Sequence, residues 1–109
     1  MNAGTLDFSQ KGDTDLAMGL VVHLCDVSNT AKPWKICYKW IELLFMEFFM
    51  QGDQEKSMGM PPSMLCDRVT TNIAKAQVGF IDFFIKPPFN SLSKVLVGVE
   101  VFLDQLNQN

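Results

Sequence analysis

Between Trp40 and Met50 nine of eleven residues are apolar, and only Glu42 and Glu47 interrupt the run. A helix that is apolar on almost every side belongs in the interior of a larger body. The chain has 109 residues, which suffices for one core and little beside it. Four short neighbours cannot cover such a helix, and an uncovered patch of several hundred Å² is an association surface. The sequence therefore predicts that this segment is covered by more protein, either further chain or other subunits. It is also interrupted and too short to cross a bilayer, which takes about 20 apolar residues, so no membrane span is expected.

Punctuation around that segment predicts an all-α chain of about five helices. Leu16, Leu20, Val21 and Leu24 form a helical stripe within residues 15–25, preceded by a polar N-terminal segment over residues 1–14. A second helix opens near Pro33, where the missing N–H does no harm, and runs to about Met50, with Gly52 as its stop. Asp53 is placed to cap a short third helix that ends at Gly59, and Met60, Pro61, Pro62 and Ser63 form a loop. Residues 69–85 read as a fourth helix with Ile73, Ala76, Phe80, Phe83 and Phe84 on one face, ended by Pro87 and Pro88. From Ser91 the stripe of Leu92, Val95, Leu96, Val99, Phe102, Leu103 and Leu106 favours a fifth helix, although the alternating valines 95–101 would also fit a strand.

Nine basic against twelve acidic residues give a net charge of −3 without a block of like charge. Neither nucleic acids nor anionic membranes are expected as partners, since both are recognised through a basic stripe. Cys25, Cys37 and Cys66 are odd in number and lie in or beside apolar segments, which fits buried thiols in a reducing compartment. The first fifteen residues carry three acids and one lysine, without the basic and apolar regions of a secretory signal. A cytoplasmic location is expected.

Two residue pairs could carry chemistry. His23 and Asp26 are three apart, so on a helix they share a face and could address one cavity. Spacing alone fits the commoner arrangement better, a core histidine beside a helix-end aspartate. Gln77 and Phe80 are likewise three apart, with Gly79 between them to allow close approach. A glutamine amide can pair with the donor and acceptor on a purine edge, and a phenylalanine ring can stack on the base. A surface glutamine beside a core phenylalanine has the same spacing, and the pattern alone does not separate the two.

Taken together, His23-Leu24-Cys25-Asp26-Val27-Ser28-Asn29, Lys32-Pro33-Trp34, Trp40, Glu47-Phe48-Phe49, Gln51-Gly52-Asp53 with Glu55, Cys66-Asp67-Arg68 and Ala76-Gln77-Val78-Gly79-Phe80-Ile81-Asp82-Phe83 resemble the C-terminal part of the catalytic domain of 3',5'-cyclic-nucleotide phosphodiesterases. The likeness runs from about Leu16 to Phe89 and more weakly to Gln105. It implies an HD-domain-like, all-α catalytic domain of which residues 15–109 are the C-terminal portion. In such enzymes two metal ions, usually Zn2+ and Mg2+, hold a hydroxide that opens the cyclic phosphate of cyclic AMP or cyclic GMP.

By the same resemblance Asp26 is a metal ligand, Gln77 hydrogen-bonds the base, Phe80 and Leu44 clamp it, and Asn29, Val27, Phe48 and Leu65 line the nucleotide pocket. The family's other metal ligands and its general-acid histidine come from upstream motifs that have no counterpart here. Met46 and Met64 stand where acidic residues and proline are common in the family. The expected role is thus part of a phosphodiesterase acting in signal transduction, supplying the base pocket and one metal ligand, and inactive alone. The alternatives are a non-catalytic truncated module packing into a larger assembly, and a nucleotide-binding regulator that keeps only the clamp.

Overall fold

A computed structural model describes Asp7 and residues 9–109. Five α-helices follow one another: α1 (Lys11–Asp26), α2 (Trp34–Ser57), α3 (Ile73–Phe80), α4 (Lys86–Ser93) and α5 (Glu100–Gln108). A 3₁₀ turn, Ser28–Ala31, joins α1 to α2, and a π-helical turn, Ile81–Ile85, joins α3 to α4. Among the described residues there is no strand, so the all-α expectation holds and the valines 95–101 do not pair. The expected polar segment 1–14 lies partly outside the described residues, and its last four residues are already helical.

Helix α2 is the long element, and it overrides the expected stop at Gly52. One glycine inside a helix costs only about 1 kcal/mol, and here it serves a close contact. A Cβ on Gly52 would overlap the carbonyl oxygen of Cys66 and lie 2.7 Å from its carbonyl carbon. The separate helix expected over 53–59 is therefore the last part of α2, and Asp53 binds Arg68 instead of capping. Gly59, at φ +73°, does end the helix. Its N–H donates to Lys56 O at 3.0 Å and Met60 N–H donates to Glu55 O at 2.9 Å, the paired bonds of a Schellman motif.

The next helix starts later than expected, at Ile73, where Asn72 Oδ1 accepts from Lys75 N–H at 2.9 Å. Val69 and Thr71 are held instead in a turn by Asp67, which accepts from both backbone N–H groups. Pro87 and Pro88 do not stop the rod. The π turn shifts the register so that the prolines fall in the first turn of α4, where no N–H donor is needed.

This continuation changes which residues are buried. Ile81, Ile85, Phe89 and Leu92 form the inward stripe, whereas Phe83 and Phe84, expected inside, are 78% and 69% exposed. The stripe packs with Leu24, Ala31, Val99 and Leu106 into one core. Leu92 belongs to α4 and the fifth helix begins only at Glu100, after a turn with Gly98 at φ +92°. Leu16, expected on the packed face of α1, is exposed.

A second, smaller core runs along α2, where Cys37, Ile41 and Phe45 are buried with Phe48, Phe49 and Ala76 of α3 against them. Around it Trp40, Met46 and Met50 are more than half exposed, so the surplus of apolar surface read from the sequence is present. The radius of gyration is 17.4 Å, against about 13 Å for a compact domain of this length. The accessible surface is 7996 Å², against roughly 6100 Å² expected for a folded monomer of this mass. Of the three thiols, Cys37 and Cys66 are buried but Cys25 is exposed. Leu24 takes the inward position in that turn and leaves its neighbour outside.

Candidate functional site

On α2 the residues Trp40, Leu44 and Phe48 stand one turn apart and share a stripe, and Gly52 continues it one turn further. Asp26, Asn29, Leu44, Phe48 and Leu65 lie on or beside this stripe, whereas Gln77 and Phe80 come from α3. At the amino end of the stripe Asp26 and Asn29 line a cleft of about 300 Å³ together with Cys25, Ser28, Lys32 and Trp40. Asp26 is the last residue of α1, and Asn29 lies in the 3₁₀ turn that follows. Val27 caps α1 and packs against the main core. In the middle, Leu44 is partly exposed while Phe48 meets Phe45 edge-on with ring centroids 5.7 Å apart.

At the far end Cys66 rests on Gly52, and Leu65, the residue before it, has φ +68°. The loop bearing Leu65 is tied to α2 by a set of polar contacts. Glu55 accepts from Ser63 N–H at 2.6 Å and Ser63 Oγ at 2.7 Å, and Lys56 donates to Asp67 at 2.7 Å. Arg68 Nε donates to both oxygens of Asp53 and its Nη2 donates to one of them. The Arg68 guanidinium also lies 5.6 Å from the centroid of the Phe49 ring.

These contacts shift the acids in one direction. The Arg68 hydrogen bonds hold Asp53 below the ordinary carboxylate range, Ser63 and then Gln51 do so for Glu55, and Lys56 does so for Asp67. Burial pushes the Cys37 and Cys66 thiols up, with the Glu55 charge adding to the effect at Cys66.

Helix α3 contributes Gln77 and Phe80, three apart on one rod, next to the Ala76 that packs on the α2 core. Gln77 is half-buried and lines a larger cleft of about 570 Å³ between α2, α3 and α5, with Trp34, Tyr38 and Ile41 across from it. Phe80 is partly exposed and stacks on Phe84 at 6.0 Å. No described cavity contains both Asp26 and Gln77. Gly79 has nothing within 4 Å of its Cβ position, so the close approach it would allow is not made by this chain's described residues.

His23 is exposed, so it is not the core histidine that spacing favoured. Among the described residues no three His, Cys, Asp or Glu side chains converge to hold a metal ion. Zinc needs three or four protein ligands, and magnesium a full shell of oxygens. Asp26 by itself does not fit either ion. Trp40, quoted among the matching motifs but given no role, lines the cleft of Asp26 and Asn29; its place one turn before Leu44 was the signal that it shares that stripe.

The model of the 3',5'-cyclic nucleotide phosphodiesterase family matches residues 2–106. A "Probable 3',5'-cyclic phosphodiesterase pde-1" of Caenorhabditis elegans is 48% identical over 85 residues, covering 78% of this chain and 13% of the relative. A human "Dual specificity calcium/calmodulin-dependent 3',5'-cyclic nucleotide phosphodiesterase 1C" is 47% identical over 93 residues, covering 84% of this chain and 13% of that protein. Among solved structures, LmjPDEB1 in complex with IBMX superposes with a TM-score of 0.85 at 30% identity, over 96% of this chain and 32% of that one. The chain thus spans about an eighth of the length of these curated relatives, and on a match that takes in almost every residue it belongs to the 3',5'-cyclic nucleotide phosphodiesterase family.

Proposed function

We propose that this chain is the C-terminal portion of a phosphodiesterase catalytic domain that hydrolyses cyclic AMP or cyclic GMP to the 5'-monophosphate in the cytoplasm. Its part is to hold the nucleotide. Gln77 bonds the base edge, Phe80 and Leu44 take the two faces of the ring, and Asn29, Val27, Phe48 and Leu65 line the remainder. The observation that carries the reading is the single stripe of α2, which runs from the Asp26–Asn29 cleft through Leu44 and Phe48 to the loop of Leu65. Twelve residues of helix make that stripe about 18 Å long, room for a base at one end and a phosphate at the other.

Asp26 would serve as one ligand to the Zn2+ and Mg2+ of a complete domain. Because the other ligands and the proton donor are missing from this chain, no hydrolytic step is assigned to it. Loss of general-acid assistance alone slows such a reaction by roughly 10²- to 10⁴-fold. The uncovered apolar residues of α2 and the surface excess of roughly 1900 Å² over a compact monomer support a partner that covers them. That partner is the remainder of a catalytic domain. The same exposed face also favours a second reading, a non-catalytic module that packs against other subunits.

The test is a paired assay on the 109-residue chain. With zinc and magnesium supplied, no hydrolysis of cyclic AMP or cyclic GMP is expected, and turnover at an ordinary enzymatic rate overturns the account of the missing ligands. Calorimetric titration with IBMX and both nucleotides is expected to show weak binding that Gln77→Ala and Phe80→Ala abolish. No heat at millimolar ligand would leave the packing module as the better reading.

A further inference from the structure

The loop between α2 and α3, residues 58–72, has no core of its own, yet it is held along its length. Gly59 enters it through the Schellman bonds, Ser63 is taken by Glu55 through both its N–H and its hydroxyl, and Cys66 sits on the Cα of Gly52. Asp67 is paired with Lys56, and Arg68 lies between the Asp53 carboxylate and the Phe49 ring. Phe49 in turn packs on Phe45 with ring centroids 5.7 Å apart, as Phe48 does. The polar contacts and the aromatic set are therefore one continuous structure.

Within the loop, Cys66 N–H donates to Ser63 O at 2.9 Å, closing a turn whose third residue is Leu65 at φ +68°. Turns with a positive φ at that position ordinarily take glycine. A leucine persists there only when its surroundings over-determine the backbone, and the contacts on both sides of it do so. A glycine would satisfy the backbone better, so what the leucine adds at this position is its side chain. The residue after it touches Gly52, one turn beyond Phe48, which sets Leu65 at the far end of the α2 stripe.

We propose that Asp53, Glu55 and Arg68 are positioning residues that clamp this loop onto α2, with Gly52 as the seat, so that Leu65 stands as a preformed wall at the Phe48 end of the nucleotide site. The inference rests on the reading of that stripe as the nucleotide site, and it goes beyond it. The wall exists before ligand arrives, in contrast to a segment that orders on binding, and three charged residues that never touch the ligand hold it there.

The experiment is amide hydrogen exchange on the full 109-residue chain, paired with titration of IBMX read at a labelled Leu65 methyl. Without ligand, the amides of Ser63, Cys66 and Val69 are expected to be protected, and exchange at the rate of an unstructured peptide overturns the clamp. Arg68→Ala is expected to speed their exchange roughly three- to tenfold, the size of a half-exposed ion pair with a cation–π contact, while the amides of residues 40–48 keep their rates. Should that variant unfold, the exchanged pair Asp53→Arg with Arg68→Asp decides: restored protection supports the clamp, and its failure overturns it.

Leu65→Gly separates the wall from the turn. The loop amides are expected to stay protected because glycine suits the turn, while IBMX binding weakens. Wild-type affinity in that variant overturns the role given to the side chain. If the wild-type chain shows no IBMX-induced shift anywhere, the nucleotide reading fails and the wall with it, whereas the exchange rates still report separately on whether the clamp exists.

Discussion

Adding a single methyl at Gly52 tests the central packing contact of this chain, because two opposing effects of known size meet there. Alanine is the better helix former by about 1 kcal/mol in a helix interior, which would stabilise α2. Against that, the new Cβ would overlap Cys66 O and lie 2.7 Å from its carbonyl carbon and 3.1 Å from its Cβ. Backbone has no rotamer with which to yield, so the loop must retreat by about 1.5 Å or more to bring that oxygen to ordinary contact distance. Overpacking of this kind costs typically 1–3 kcal/mol. Retreat also lengthens the solvent-exposed Ser63–Glu55 and Lys56–Asp67 bonds, now 2.6–2.7 Å.

Because the clash is with backbone the upper part of that range applies, about 2–3 kcal/mol, and after the propensity gain of about 1 kcal/mol Gly52→Ala is expected to destabilise the chain by roughly 1–2 kcal/mol. Gly79→Ala is the control, the same change inside α3 with nothing within 4 Å of the new methyl, and it is expected to stabilise by about 0.5–1 kcal/mol. Urea unfolding followed by far-UV circular dichroism gives both values. In a thermal melt 1 kcal/mol corresponds to about 4–8 °C for a chain near this size. Shifts of the same sign in the two variants, or a Gly52→Ala chain as stable as the parent, would refute the reasoning.

Three further outcomes follow from individual contacts. Asn72→Ala removes the side-chain cap of α3 and should cost about 1 kcal/mol in the same urea assay, while Asn72→Asp, which caps equally well, should not. Asn109 Nδ2 donates to Thr30 O at 2.7 Å and Lys32 O at 2.8 Å, so Asn109→Ala should raise hydrogen exchange over residues 28–33, the segment of Asn29, by the loss of about 1 kcal/mol. Asp53, Glu55 and Asp67 all have carboxyls held below their ordinary range. Their contribution is therefore complete above about pH 4.3 and is lost as pH falls through the lower folded values. Loop exchange corrected for intrinsic rate should be constant from pH 5 to 7 and rise below about pH 4; a midpoint near pH 6 would assign the transition to another group.

Where several candidate residues lie was legible because their motifs are local. Gln77 and Phe80 share a helix, so their common rod followed from a spacing of three. Asp26 and Asn29 straddle a helix end, and they line one cleft. Trp40 went unassigned because its role depends on α1 arriving beside it. The face of the fourth expected helix was misread for a related reason. Ending the rod at Pro87 hid the stripe Ile81, Ile85, Phe89 and Leu92, and turned Phe83 and Phe84 inward on paper. A π turn that lets two prolines start a fresh segment has no signature in hydrophobic periodicity.

By itself the amino-acid sequence determined the helical class, the family and the excess of apolar surface, since each depends on residue types at short spacing or in fixed order. Only the tertiary structure decided whether Gly52 breaks a helix or seats a loop, whether Pro87 ends a rod or begins one, and why Leu65 tolerates a left-handed backbone. Glycine, proline and strained residues have several permitted local conformations that differ by a few kcal/mol at most. The choice among them falls to whatever packs opposite, here the Cys66 carbonyl, the main core and the Arg68 clamp, and that information lies far away along the chain.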